Sequence, residues 1–354
     1  MNFYFIGACE ALAAFGVASL SVSALLLAGW WAVRERAASW SAASRAGALL
    51  ALRLAPTAIA VLVTAGLVVP SYVTLEPRDT AEVPDVALGA LAAVGLGLVL
   101  LAAARLATAL RRTRRVLRVW SRAATPVAIE GVDCRAFRIE TPAPIVALAG
   151  VRRPRLYLSG SVLDGCGGPL VSAIAAHEMA HRRSGDNLKR LLFEAAADPL
   201  GLSRVGRQIR EAWEVATEEA ADDAAVAAGA IPDDLAEALL RVARLAPGDG
   251  FPAAVVAAFY RTEVRAASPR GEVMAASPRG GAFERRVRRL VAPSRSEARR
   301  GLSRRSGAAI LLLLALGWVL AAHSLLKPVH RLFEHAVHGP HAHQRSLVVV
   351  HPPA

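Results

Sequence analysis

The chain has 354 residues, 54% of them hydrophobic, with a mean hydropathy of +0.38 and a formal charge of +13. So apolar a composition argues against an ordinary soluble protein and points to membrane spans. The charge is almost all arginine, Lys189 and Lys327 being the only lysines; with no zinc-finger spacing and no aromatic RNA-binding signature, this argues against direct nucleic-acid binding.

Residues 3–29 form a first apolar run, ending at Trp30 and Trp31. It has no basic residue before Arg34 and is too long for a cleaved signal core, so it reads as a transmembrane helix. Glu10 lies near its outer end, within reach of lipid headgroups. The runs 49–70, ending at Pro70, and 86–109 read as two further spans, matched in length to a ~30 Å hydrocarbon core. Arg53 and Arg105, near cytoplasmic span ends, are expected to snorkel to the interface. Arg34, Arg36 and Arg45 lie between spans one and two, and "RRTRRVLR" follows span three, whereas loop 71–85 carries Glu76, Asp79, Glu82 and Asp85 against one arginine. The positive-inside rule therefore puts the N-terminus and loop 71–85 outside and residues 111–306 in the cytoplasm.

Within 111–306 the first part reads as short strands at 126–130, 134–140, 144–149 and 154–158, bounded by Gly, Pro and Asp. Helices follow at 168–184, 187–197, 203–229 and 233–245. The hexapeptide "AASPRG" occurs at 266–271 and again at 275–280, which reads as a flexible linker. Residues 282–291, "AFERRVRRLV", form a basic amphipathic helix expected against the anionic inner leaflet. A fourth span is expected at 307–326, followed by an external tail, 327–354, with His335, His338, His341 and His343; disorder is the simpler account of so short and polar a tail. Cys9, Cys134 and Cys166 are scattered and odd in number, so they read as small hydrophobes and build no disulfide framework.

One motif carries chemistry. "AIAAHEMAHRRSGDN" (173–187) places His177 and His181 four residues apart with Glu178 between them. On a helix these side chains share a face with Leu170 and Ile174, so the histidines point where the apolar residues point. Two buried imidazoles and a carboxylate need partners, and a bound cation supplies one. This is the His-Glu-x-x-His zinc pattern, with Glu178 as general base toward a water activated by the metal. A third ligand is expected from "EVATEEAADDAAVAAG" (214–229). Glu218 with Asp222 and Glu219 with Asp223 have the same spacing, and the spacing does not choose between them.

"AAHEMAHRRSGDN", preceded by "GVRRPRLYLSGSVL" and followed by "EEAADDAAV", resembles the membrane-embedded gluzincin metallopeptidases. The BlaR/MecR-type antibiotic-sensor proteases are nearest in pattern, HtpX and the CAAX prenyl proteases more distant. The resemblance implies a multi-pass α-helical membrane protein with a mainly α, α+β zincin (gluzincin) domain in the cytoplasm. It puts the family's Glu-x-x-Ala-Asp pattern on Glu218, Ala221 and Asp222, making Glu218 the third Zn2+ ligand and Asp222 the residue that orients a ligating histidine. It also makes "PIVALAGVRRPRLYLS" the active-site edge where a substrate strand pairs. The sensor-type relatives carry a penicillin-binding domain after the fourth span; here residues 327–354 hold no Ser-x-x-Lys acylation motif, so direct β-lactam sensing is not expected.

The expected function is a zinc-dependent endopeptidase in a bacterial cytoplasmic membrane, cutting cytoplasmic or inner-face proteins. A transcription repressor is the substrate the resemblance suggests. The alternatives are a membrane-protein quality-control protease and a non-enzymatic zinc-binding signalling scaffold. No pattern singles out an oxyanion-stabilising residue.

Overall fold

A computed structural model of the chain describes residues 2–37, 39–76, 78, 86–141, 143–245 and 278–292. The expected fourth span, the tail and most of the "AASPRG" linker lie outside the described residues.

Among the described residues, three helical segments are long and apolar enough to cross a membrane: Phe3–Ala32, Ala42–Leu75 and Val86–Ala123. The first belongs to α1 (Asn2–Ala37). The second is α2 (Ala42–Val63), a π-helical turn (Thr64–Val68) and α3 (Val69–Leu75) in unbroken succession. Pro70, expected to end the span, is instead accommodated: a proline ring strikes the carbonyl four residues back, and here that residue, Gly66, lies in the widened turn. The third is α4 (Val86–Ala123). Gly95 of α4 lies against α1 so closely that a Cβ there would stand 1.9 Å from the Leu12 carbonyl oxygen, the close backbone approach that small residues permit between spans. Large apolar side chains such as Leu25 and Leu100 face outward, the pattern of helices suited to a lipid surround.

Helix α4 runs well past 109, the expected end of span three. It carries the arginine-rich stretch out as helix and passes directly into β1 (Ala124–Val127). With β2 (Ala136–Ile139), β3 (Val146–Ala149) and β4 (Arg155–Ser159) this strand makes one sheet of order β1-β2-β4-β3. β2 and β4 are parallel and the other pairs antiparallel. Four expected strands are thus present within a few residues of their expected places, and β3 is an edge strand. Trp120 of α4 packs on Tyr157 of β4 with ring centroids 5.2 Å apart, so the sheet rides on the end of the span.

Helices α5 (Gly160–Gly165), α6 (Gly168–Ser184), α7 (Asp186–Ala195), α8 (Arg204–Ala227) and α9 (Pro232–Leu245) follow, with a 3-10 turn (Pro199–Leu202) between α7 and α8. The last described helix is α10 (Pro278–Val291). One core joins the sheet to α5, α6 and α9 through Leu156, Leu158, Val162, Ile174 and Val242. A second joins α1, α2, α7 and α8 through Trp30, Leu49, Phe193, Ile209 and Trp213. The region after the spans therefore shares a core with them rather than hanging from a linker.

Two expectations are corrected here. Arg53 does not snorkel: it is 2% exposed, and its Nη1 donates to Asp198 Oδ2 at 2.6 Å. An arginine inside an apolar bundle needs a partner, and the α7–α8 connection supplies one. Residues 282–291 are helical as expected, but Phe283, Val287 and Leu290 pack with Leu235 and Leu239 of α9. A protein surface, not a leaflet, covers that apolar face.

Candidate metal centre

Helix α6 starts at Gly168 with Pro169 in its first turn, where a missing N–H costs nothing, and stops at Gly185, which adopts the left-handed conformation at φ 71°. Between these signals an alanine-rich stretch packs closely and carries His177, Glu178 and His181, at 4%, 5% and 6% exposure. The Nε2 atoms of His177 and His181 lie 3.1 Å apart. Glu218, from the middle of α8, places Oε2 3.5 Å from His177 Nε2 and Oε1 3.6 Å from His181 Nε2.

These spacings fit a metal. Four ligands at 2.0–2.1 Å around a tetrahedral ion stand about 3.3 Å from one another; here the two imidazole nitrogens are 3.1 Å apart, and each has one of the two Glu218 oxygens at 3.5 or 3.6 Å. Ligand atoms of His177, His181 and Glu218 form a buried cluster suited to an ion. Glu218 Oε2 is buried without a hydrogen bond, its charge faced by the Arg286 guanidinium.

The surrounding groups aim the ligands. His181 Nδ1 is 2.8 Å from Asp186 Oδ2, which leaves Nε2 to face the cluster. Asp186 also accepts hydrogen bonds from Lys189 Nζ, at 2.6 Å, and from Ser184 Oγ. His177 Nδ1 is 2.9 Å from Asp222 Oδ1, a charge contact that does not meet along a hydrogen-bond direction. Asp222 is in turn held by Arg286 of α10, Nε to Oδ2 at 2.7 Å and Nη2 to Oδ1 at 2.8 Å. Arg286 Nη1 lies 3.2 Å from Glu218 Oε2.

Charges of both signs are closely paired around the cluster, and the titrating groups register it. Burial disfavours a charged imidazole, yet Asp222 and Glu218 overcome it and push His177 up to about 10. His181 is also raised, against burial, by Glu218 and Asp186. Burial opposes the ionised form of Asp222, but Arg286 and His177 hold it at about 2. Asp186 is likewise held at about 2 by His181 and Lys189. A metal held there would have to displace the protons from both imidazoles.

Glu219 and Asp223 face elsewhere. Glu219 pairs with Arg45 of α2 and, at 3.1 Å, with Arg289 of α10; Asp223 meets Arg289 at 2.7 Å. The pair brought to the histidines is Glu218 with Asp222. Asp186 and Asn187 were not anticipated from sequence, although both stand in "SGDN" directly after the motif. The turn at Gly185 folds them back, so helical spacing from His181 does not find them. Asn187 Nδ2 donates to the carbonyls of Leu148, at 2.9 Å, and Gly150, at 2.8 Å, which fixes β3 beside the cluster.

Beside the cluster lies an open groove of about 480 Å³. Ala104, Thr108 and Arg112 of α4 line one side and Val146 and Leu148 of β3 another. Glu178, His181, Arg190 and Glu218 are also exposed to it. Glu178 is thus a buried carboxylate that reaches the groove without belonging to the three-residue cluster.

No protein-family model, curated protein or solved structure matches the chain.

Proposed function

We propose that the chain is a zinc-dependent endopeptidase of the gluzincin type, seated in a bacterial cytoplasmic membrane and acting on cytoplasmic or inner-face protein segments. The observation that carries this is the meeting of His177, His181 and Glu218, at ligand spacing, with Glu178 beside them in a groove bordered by a sheet edge. The likeness of the motif to the BlaR/MecR-type and HtpX-type peptidases supports the same reading.

His177, His181 and Glu218 would hold the ion, with Asp222 and Asp186 orienting the two imidazoles. Zinc bound there supplies a Lewis acid that polarises the scissile carbonyl and acidifies a water. An extended substrate segment pairs with the edge of β3, which sets its carbonyl over the cluster. Glu178 takes the proton from the attacking water as the C–O bond forms, then delivers it to the amine nitrogen as the C–N bond breaks. With Arg34 and Arg45 before span two and the "RRTRRVLR" stretch after span three, the groove faces the cytoplasm. Its α4 wall favours substrates presented at the inner membrane face, whether a repressor or the cytoplasmic part of a membrane protein.

Glu178→Gln tests the assignment. The variant keeps its metal and loses peptide cleavage by at least ~100-fold, the scale of general-base help. Undiminished cleavage would remove Glu178 from the mechanism.

A further inference from the structure

The connection between α7 and α8 reaches into the bundle of spans. Asp198 at its tip is 1% exposed and accepts hydrogen bonds from Arg53 Nη1, at 2.6 Å, and from Thr57 Oγ1, at 3.0 Å, both on α2. Ser19 of α1 donates to the Ala197 carbonyl at 3.2 Å. Ala197 is buried with Phe15, Ala60 and Ala102, one from each of the three spanning segments. Gly201 passes so near Arg53 that a Cβ would stand 2.6 Å from its Nη2.

These partners fix a depth. Arg53 stands four residues inside the cytoplasmic span end at 49, about 6 Å of helix rise. Thr57 and Ala102 stand eight and seven residues inside the ends at 49 and 109, or about 10 to 12 Å, and Ser19 ten residues inside the end at 29, about 15 Å. Half of a ~30 Å hydrocarbon core is of that size. The outward side chains of the hairpin agree: Leu192 on α7 is 40% exposed and Leu202 at the tip is 58% exposed, continuing the apolar outer surface of the spans. Arg204 and Arg207 on the first turns of α8 are exposed as well; at shallow depth such long side chains carry their charge back to the headgroups. One turn further, Gln208 Oε1 accepts from Trp30 Nε1 at 2.9 Å, and tryptophan at a span end marks the interface.

We infer that residues 186–203 form a re-entrant membrane element whose tip lies among the acyl chains of the cytoplasmic leaflet, with Leu192 and Leu202 facing lipid. Its backbone is satisfied by the spans that enclose it, the condition under which irregular chain is tolerated at that depth. Both arms end at the metal cluster, since α7 begins with Asp186 on His181 and α8 carries Glu218. The lipid-seated tip thereby holds the groove at the bilayer surface. The inference rests on the membrane reading of the three spans and is independent of peptidase activity.

The test uses the full-length chain in lipid nanodiscs, with Cys9, Cys134 and Cys166 replaced by serine and a single fluorophore attached through Leu202→Cys, Leu192→Cys, Leu100→Cys or Ile231→Cys. Leu100 is on the outer face of α4, and Ile231 is exposed between α8 and α9, at the opposite end of α8 from the tip. Lipids with a nitroxide on the acyl chain are expected to quench labels at 202 and 192 as strongly as at 100, and to spare 231. A retained thermal unfolding transition shows that each labelled chain is folded. Quenching at 100 with none at 202 and 192 would overturn the re-entrant element alone. Absence of quenching at 100 as well would overturn the membrane reading and the inference with it.

Discussion

Glu218 and Glu219 are adjacent, on one helix, and 7% exposed each, yet their surroundings differ in kind. Glu218 has two imidazole nitrogens within 3.6 Å besides the Arg286 guanidinium, and Glu219 has two guanidinium groups and no imidazole. The 100° step between neighbouring helical residues produces this division. Removing a ligand carboxylate costs metal and activity together, so Glu218→Ala is expected to lose both. Glu219→Ala is expected to keep its metal, because what it loses is an arginine contact. Metal analysis and a cleavage assay on the two variants decide the matter, and the reverse pattern would move the ligand to Glu219. At this scale His177, Glu178 and His181 were legible in the sequence because one helix holds all three. The spacing alone leaves Glu218 and Glu219 equivalent; the likeness to known peptidases favours Glu218, and the fold brings that residue to the histidines. Asp186 was not legible, because its contact with His181 depends on the reversal at Gly185 and not on helical periodicity.

Among the elements, α10 does the most that its sequence did not announce. Arg286 and Arg289, three residues apart, hold all four acidic groups of "EEAADD" on α8: Arg286 takes Glu218 and Asp222, Arg289 takes Glu219 and Asp223. A basic amphipathic pattern suits an anionic leaflet and an acidic helix equally, so "AFERRVRRLV" alone does not choose between them. The two arginines should differ in weight. Arg286 is 5% exposed and its loss strands two buried carboxylates, a change that typically costs ~3–5 kcal/mol. Arg289 has a side chain 41% exposed, and pairs in such settings contribute about 1 kcal/mol or less. Arg286→Gln is therefore expected to lower the thermal unfolding midpoint of the metal-free chain clearly, with added zinc restoring part of the loss by neutralising Glu218. Arg289→Gln should change it little. Equal midpoints for wild type and Arg286→Gln would show that α10 does not brace the site. The strands, by contrast, were found close to their expected places, because Gly, Pro and Asp punctuate short β-branched runs. That β3 would be the edge facing the groove depends on sheet order, which those runs do not encode.

For the molecule as a whole, three apolar helices and arginine-rich flanks were legible from composition, but the docking of the later helices onto them was not. Arg53 illustrates why: beside a span end, a snorkelling arginine and a buried one paired to a distant aspartate look alike in sequence. In the proposed orientation the groove faces the cytoplasm and loop 71–85 lies outside. Alkaline phosphatase fused after Gly271 is then expected to be inactive, and fused after Glu76 active; the opposite pattern would place the groove on the external side and remove cytoplasmic proteins as substrates. The central claim, a zinc centre on α6 and α8, is tested most directly by the metal content of the purified full-length chain. Near-equal amounts of zinc and protein are expected, with zinc lost when His177 and His181 are both replaced by alanine; full retention of zinc in that double variant would contradict the account.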